Sequence, residues 1–170
     1  MTKVFIFIFS LFFVFSPDLK AGDKIDLKWK KFDEGLSLAK KEKKNILVDV
    51  YADWCKWCKK MDAEVFTNDS IAPYLNKNFV LIKLNGESSE KIKYKGETMN
   101  AADFARGFGV SGFPTVIFLE PDGEAITKVP GFLDAQNFMP IIKFIGDKHY
   151  KNMTWPEYVA KHSPKGKAIY

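Results

Sequence analysis

The chain has 170 residues, 46% hydrophobic and 15% aromatic, which suits one folded domain with extra segments and excludes a disordered chain. Its 26 basic and 21 acidic side chains leave a formal net charge of +5, too small an excess to mark a nucleic-acid binder. The densest basic stretch, Lys40-Lys41-Glu42-Lys43-Lys44, reads as the solvated end of a helix.

The N-terminus has the make-up of a signal peptide. Lys3 precedes an apolar run, Val4 to Phe15, broken only by Ser10; Pro17 and then Leu19-Lys20-Ala21 follow. This predicts cleavage after Ala21 and an exported, periplasmic protein. The apolar run is shorter than the roughly 20 residues that span a bilayer. An exported chain meets an oxidising compartment, where a lone cysteine pair is oxidised or redox-active.

Beyond residue 22, Ile25, Leu27 and Trp29 alternate as in a short edge strand. Phe32, Leu36 and Ala39 give a helical period from about Asp33 to Lys43, ending in lysines that favour the negative end of the helix dipole. Residues 46–52 form an apolar, β-branched strand, and a helix opens at Cys55 and runs to about Phe66. A short helix around Ile71, Tyr74 and Leu75 leads to a buried strand, Phe79 to Leu84. The polar stretch from Gly86 to Asn100 reads as a surface insertion, followed by a helix from Ala101 to Phe108 that Gly109 stops. Val116 to Leu119 and Ala125 to Val129 are strands joined by the turn Pro121-Asp122-Gly123-Glu124. Asp134 is positioned to cap a last helix with an apolar stripe of Phe138, Ile141, Ile142 and Ile145; Pro140 inside it predicts a kink, or a start nearer Met139. Trp155-Pro156-Glu157-Tyr158 suggests one more short helix in a C-terminal extension, residues 147–170. Strands separated by helices, then a tight turn between strands, predict an α/β fold with a mixed sheet.

Cys55 and Cys58 are the only cysteines. At helical positions three apart they face the same way, about 5–6 Å between Cβ atoms, and a disulfide needs about 3.8 Å. The loop it closes has four residues, so it contributes only about 2 kcal/mol through chain entropy. Such a bridge is a poor staple and is suited to opening and closing. Cys55 at the start of the helix meets unpaired N–H groups and the dipole, with Lys56, Lys59 and Lys60 nearby, and these stabilise a thiolate. Cys55 is therefore the candidate nucleophile and Cys58 the resolving thiol. Asp49, inside a buried strand, is a candidate proton acceptor for Cys58, with burial raising its pKa and Lys83 a possible partner. Trp54 and Trp57 are candidates for a substrate-docking surface, although for Trp54 ordinary packing is the favoured expectation. Zinc is disfavoured, because His149 and His162 are the only histidines and are wrongly spaced, and haem attachment would need His where Lys59 stands. No metal or other cofactor is expected.

These motifs lie in an order that resembles the thioredoxin superfamily over about residues 25–146. Leu47-Val48-Asp49 with Ala52-Asp53-Trp54-Cys55 is similar to the family's strand into its Trp-Cys-x-x-Cys site. Lys83-Leu84-Asn85 resembles its next strand end, Phe108 to Thr115 the loop with a cis proline facing the cysteines, and Gly131 the glycine before the last helix. The resemblance implies a thioredoxin fold, a central mixed β-sheet flanked by helices, with an insertion before the helix that precedes the cis proline. It implies thiol–disulfide exchange with protein thiols and disulfides, a cis peptide at Pro114, and an extended substrate pairing with the backbone at Phe113. The Lys56-Trp57 pair departs from the Gly-Pro of ordinary thioredoxin. The exported address and the Tyr51-to-Cys55 start look closer to periplasmic thioredoxin-like reductases, some of which serve a membrane electron transporter. The expected layout is a signal peptide (1–21), a thioredoxin-like domain (22–146) and a C-terminal extension (147–170). A redox-gated peptide-binding or chaperone-like module using the same surface without turnover is the alternative. No heptad pattern points to a particular oligomer.

Overall fold

The computed structural model describes residues 25–162, so the expected signal peptide and the last eight residues of the tail lie outside the described residues. The chain forms β1 (Trp29–Lys30), α1 (Phe32–Glu42), β2 (Asn45–Tyr51), α2 (Lys56–Glu64), α3 (Ile71–Asn78) and β3 (Phe79–Asn85). Then follow β4 (Lys91–Tyr94), β5 (Glu97–Asn100), α4 (Ala101–Gly107), β6 (Thr115–Leu119), β7 (Ala125–Pro130), α5 (Ala135–Gly146), a 3-10 turn over His149–Lys151 and α6 (Trp155–His162).

A five-stranded sheet in the order β1-β3-β2-β6-β7 forms the centre, and β4 and β5 pair as a separate hairpin. β1, β2 and β3 are parallel, while β6 and β7 run antiparallel to their neighbours. The mixed sheet expected from the helix-strand alternation is therefore present, with β2 at its middle. Six of the seven β2 residues are buried, which a strand covered on both faces requires.

Alternation along β2 sends its side chains to two cores. Ile46, Val48 and Val50 join Ile82, Ile117 and Phe104 under α1 and α4. Leu47 joins Leu81, Phe118 and the helical residues Met61, Leu75, Phe138 and Ile142 under α2, α3 and α5.

Four expectations need correction. Residues 86–100 are not merely a surface insertion: β4 alternates Lys91-Ile92-Lys93-Tyr94, Ile92 is buried, and Tyr94 packs on Phe32 and Phe104. The Tyr94 hydroxyl donates to Gly123 O at 2.8 Å, which fastens the hairpin to the β6–β7 turn. Next, α5 starts at Ala135 and not near Met139, and it continues through Pro140. Asp134 caps it, accepting from Asn137 N–H at 2.8 Å, and the proline removes just one main-chain donor from a helix anchored by Phe138, Ile142 and Ile145. Ile141, expected in the buried stripe, is only half-buried. Finally, the alternating edge segment shortens to two strand residues at the margin of the sheet.

The extension folds back on α5. Phe144 meets Trp155 and Tyr158 with ring centroids 5.3 and 5.1 Å apart, and Tyr158 is buried. Asn45, at the start of β2, donates to Ile145 O at 3.1 Å and to the Tyr150 hydroxyl at 3.3 Å. No helix among the described residues is long and apolar enough to cross a membrane.

Candidate active site at the end of the central strand

Past Tyr51 the chain leaves the sheet in a turn closed by Cys55 N–H donating to Ala52 O at 3.0 Å. Cys55 has extended backbone angles and is the N-cap of α2, a position that calls for a side chain able to accept from the first turn. Its Sγ accepts from Cys58 N–H at 3.0 Å, and Lys59 N–H bonds Cys55 O at 3.2 Å. Cys55 and Cys58 form a disulfide with Cα atoms 5.3 Å apart. The first turn of α2 has no acidic residue, and Lys56, Lys59 and Lys60 stand on its first two turns. On reduction the Cys55 sulfur would face an N–H donor, the positive end of a helix and a cationic surround, the three conditions that favour a thiolate. Cys55 is 2% and Cys58 4% exposed, so a partner must reach them through the covering side chains.

Asp49 sits in register with Lys83 on β3 and Val116 on β6. It points, like Leu47, to the face that α2 covers. Lys83 Nζ lies 3.0 Å from Asp49 Oδ2 and also donates to Asp62 Oδ1 of α2. Rings of Trp29, Tyr51 and Phe66 surround the ammonium at 5.0, 5.4 and 5.8 Å. Asp49 Oδ1 has no hydrogen-bond partner among the described residues. Burial pushes the Asp49 carboxyl up to about 6, with Lys83 pulling the other way and Asp62 adding to the rise. Burial by itself would lower Lys83, but the charges of Asp49 and Asp62 outweigh it and hold the ammonium above its ordinary value. Asp62 was not anticipated. Its one sequence signal is an acid four residues after Cys58, on the same stripe of the helix.

The rim is aromatic. Trp54 is 67% exposed and Trp57 56%, so Trp54 is not the core-packing residue expected from sequence. Trp54 Nε1 donates to Glu87 Oε2 at 2.9 Å, and its ring meets Phe113 edge-on at 6.1 Å. On the other side Trp57 faces Phe132 at 5.3 Å, with Lys60 Nζ 5.3 and 5.2 Å from the two rings. Glu87 and Phe132 were also missed, since nothing local in the sequence links them to the cysteines.

Phe113 packs against the small buried cluster of Ala52, Cys55 and Cys58. The Phe113–Pro114 peptide is cis, Pro114 is buried, and Pro114 O accepts from Gly131 N–H at 2.8 Å. Gly131 has φ +83°, a conformation glycine adopts without strain. Gly86 also lies against the Phe113 ring. A Cβ there would come within 2.6 Å of the Phe113 ring and 2.8 Å of Val50. Cys55, Cys58, Trp54, Trp57, Phe113 and Pro114 thus gather at one end of the sheet, and Asp49 and Lys83 lie beside α2.

A family model described as a thioredoxin-like domain matches residues 32–146. Among curated proteins, the thiol:disulfide interchange protein DsbD of Yersinia pestis is 30% identical over 104 residues, 60% of this chain and 16% of that protein. The protein of the same name from Haemophilus ducreyi is 32% identical over 99 residues, 56% of this chain and 16% of the relative. The matched region thus spans less than a fifth of these relatives. Among solved structures, a thioredoxin-fold protein from Helicobacter pylori superposes with a TM-score of 0.60 at 21% identity, covering 80% of this chain and 84% of that one. That likeness establishes the fold.

Proposed function

The chain belongs to the thioredoxin-like domain family and is a thiol–disulfide oxidoreductase, and from that premise we propose that it is an exported reductase or electron relay for protein disulfides. The observation that carries this is the Cys55 sulfur, an N-cap accepting the Cys58 N–H at the cationic start of α2.

In the reducing direction the Cys55 thiolate attacks a substrate disulfide. A Cys55–substrate disulfide forms, and the first substrate sulfur leaves as a thiolate that takes a proton from water. Cys58 then gives its proton to the carboxylate of Asp49 and attacks Cys55 Sγ. The Cys55–Cys58 bond forms, and the second substrate thiolate leaves with the electron pair of the broken bond. A carboxyl poised at about 6 with one free oxygen suits that proton transfer near neutrality. Lys83 holds the other oxygen and keeps Asp49 in place. Trp54, Trp57 and Phe113 offer apolar contact to the substrate, and the extended backbone before Pro114 pairs with it as an added strand.

The likeness to DsbD proteins supports a membrane electron-transfer partner as the source of electrons. Residues 1–21, cleaved after Ala21, would bring the chain to the compartment where that exchange is needed.

Equilibrating the Cys55–Cys58 pair in glutathione buffers tests the direction. A potential near −270 mV supports a reductase, and one near −120 mV, as in a strong oxidant, sinks that assignment. Insulin reduction driven by dithiothreitol separates turnover from passive holding. The protein should accelerate it and Cys55→Ser should not; equal behaviour would leave only the binding-module alternative.

A further inference from the structure

The three parallel strands begin at the pole of the sheet opposite the disulfide, and α1 and α3 end there. This brings together Lys28 ahead of β1, Lys40 and Lys41 in the last turn of α1, Lys43 and Lys44 in the turn into β2, and Lys77 at the end of α3. All but Lys44 are exposed. Lys28, Lys30 and Lys44 line a shallow cleft of about 130 Å³ with Glu42 and Asn76. Glu42 is held below the usual carboxylate range by Lys44, 2.9 Å away, and then by Lys41 and Lys28. Acids of the β6–β7 turn reach the same pole, Glu120 pairing with Lys151 at 3.2 Å and Glu124 with Lys95 at 2.7 Å. Of the six lysines, Lys44 alone is in an ion pair among the described residues.

The chemistry of the patch narrows its partner. It is built of lysines, compact charges suited to diffuse attraction, without the guanidinium forks that read phosphates one by one. The large hydrophobic side chains exposed among the described residues are Ile25, Trp54 and Trp57, so no exposed aromatic platform for stacking bases accompanies the lysines. The chain also enters the fold here, where Lys28 N–H bonds Asn76 Oδ1 at 3.1 Å.

We propose that this lysine pole docks on an anionic phospholipid surface and turns the disulfide end of the molecule away from the membrane. The seven residues of β2, at about 3.3 Å each, place the cysteines roughly 20 Å from the pole. That exceeds two Debye lengths at physiological ionic strength, so lipid charge leaves the thiols undisturbed. The orientation leaves the aromatic rim free for substrate.

Vesicle co-sedimentation tests the proposal on the mature chain from Gly22 onward, comparing phosphatidylcholine vesicles with vesicles holding 30% phosphatidylglycerol. Binding to the neutral vesicles measures attraction that does not depend on charge, and the anionic increment measures the pole. Wild type should show an increment that fades between 50 and 300 mM salt. The variant Lys28→Gln/Lys41→Gln/Lys77→Gln should lower the anionic partition coefficient roughly a hundredfold, with insulin reduction unchanged. No increment in the wild type, or an equal one in the variant, overturns the proposal. So does polyglutamate displacing the protein from the vesicles at equal charge, which would assign the pole to an acidic protein instead.

Discussion

The two faces of the central sheet are built on different terms. Under α1 and α4 the core is wholly apolar: Phe104 meets Phe32, Tyr94 and Phe108 with ring centroids 4.7, 5.0 and 4.6 Å apart, and Ile46, Val48 and Val50 complete the layer. Under α2 the sheet presents a carboxylate, and the chain of Asp49, Lys83 and Asp62 is set among Leu47, Met61 and Phe66. The first face stabilises the fold by burying area. The second gives up part of that stability to hold a proton acceptor at the helix carrying the cysteines. Stability and chemistry are thus segregated by the two-residue period of one strand.

The largest effect that should sharpen this contrast is chemical. Cys55→Ser removes the nucleophile and should bring insulin reduction down to the dithiothreitol background, while thermal melting shows the fold intact. Next is Phe104→Ala on the apolar face. Deleting a buried phenyl ring costs about 3–5 kcal/mol, which should lower Tm by roughly 10 °C or more, with the redox potential of the folded protein unchanged. A shift in that potential would show that the two faces are coupled.

Asp49→Asn comes third and has the opposite sign. The native carboxyl keeps its proton up to about pH 6, whereas in the unfolded chain it would ionise near 3.8. The folded state therefore binds more protons between those values, and its stability falls as pH rises through that window. A shift of about two units corresponds to about 3 kcal/mol. The asparagine variant should be more stable than wild type at pH 7 by up to that amount, and the difference should vanish below about pH 4. Release of substrate from a Cys55 mixed disulfide should slow at the same time. Urea melts at pH 4 and pH 7, with stopped-flow thiol release, check both. The smallest change is at the rim: Trp54→Ala should alter stability by less than about 0.5 kcal/mol, as for an exposed residue, yet weaken turnover of protein substrates several-fold.

The site was largely legible because its key residues are close in sequence. A β-branched run breaking into a helix announces Cys55 and Cys58, and an acid inside such a run announces Asp49. The β4–β5 hairpin was hidden for a physical reason. Its turn uses Lys95 and Gly96, both with positive φ, instead of the common Asn-Gly pair, and half of its eight strand residues are lysine, glutamate or threonine. The alternation of Ile92 and Tyr94 was present but brief. Exposure of Trp54 was illegible, because the groups that hold the indole, Glu87 and Phe113, lie far from it in sequence. At Pro140, local propensity offered a start nearer Met139, and the Asp134 cap instead starts the helix at Ala135.

The contact between Gly86 and Phe113 bears on how freely this sequence can vary. A side chain at residue 86 would push the Phe113 ring off the cysteines or press on Val50 in the apolar core. In a library that samples all twenty amino acids at every position, residue 86 should therefore accept few replacements, although it has no reactive atom. Its neighbours Glu87 and Ser88 should accept replacement. A position that does no chemistry would then mark, by its fixity alone, which lineages still keep a phenylalanine folded over the sulfur pair.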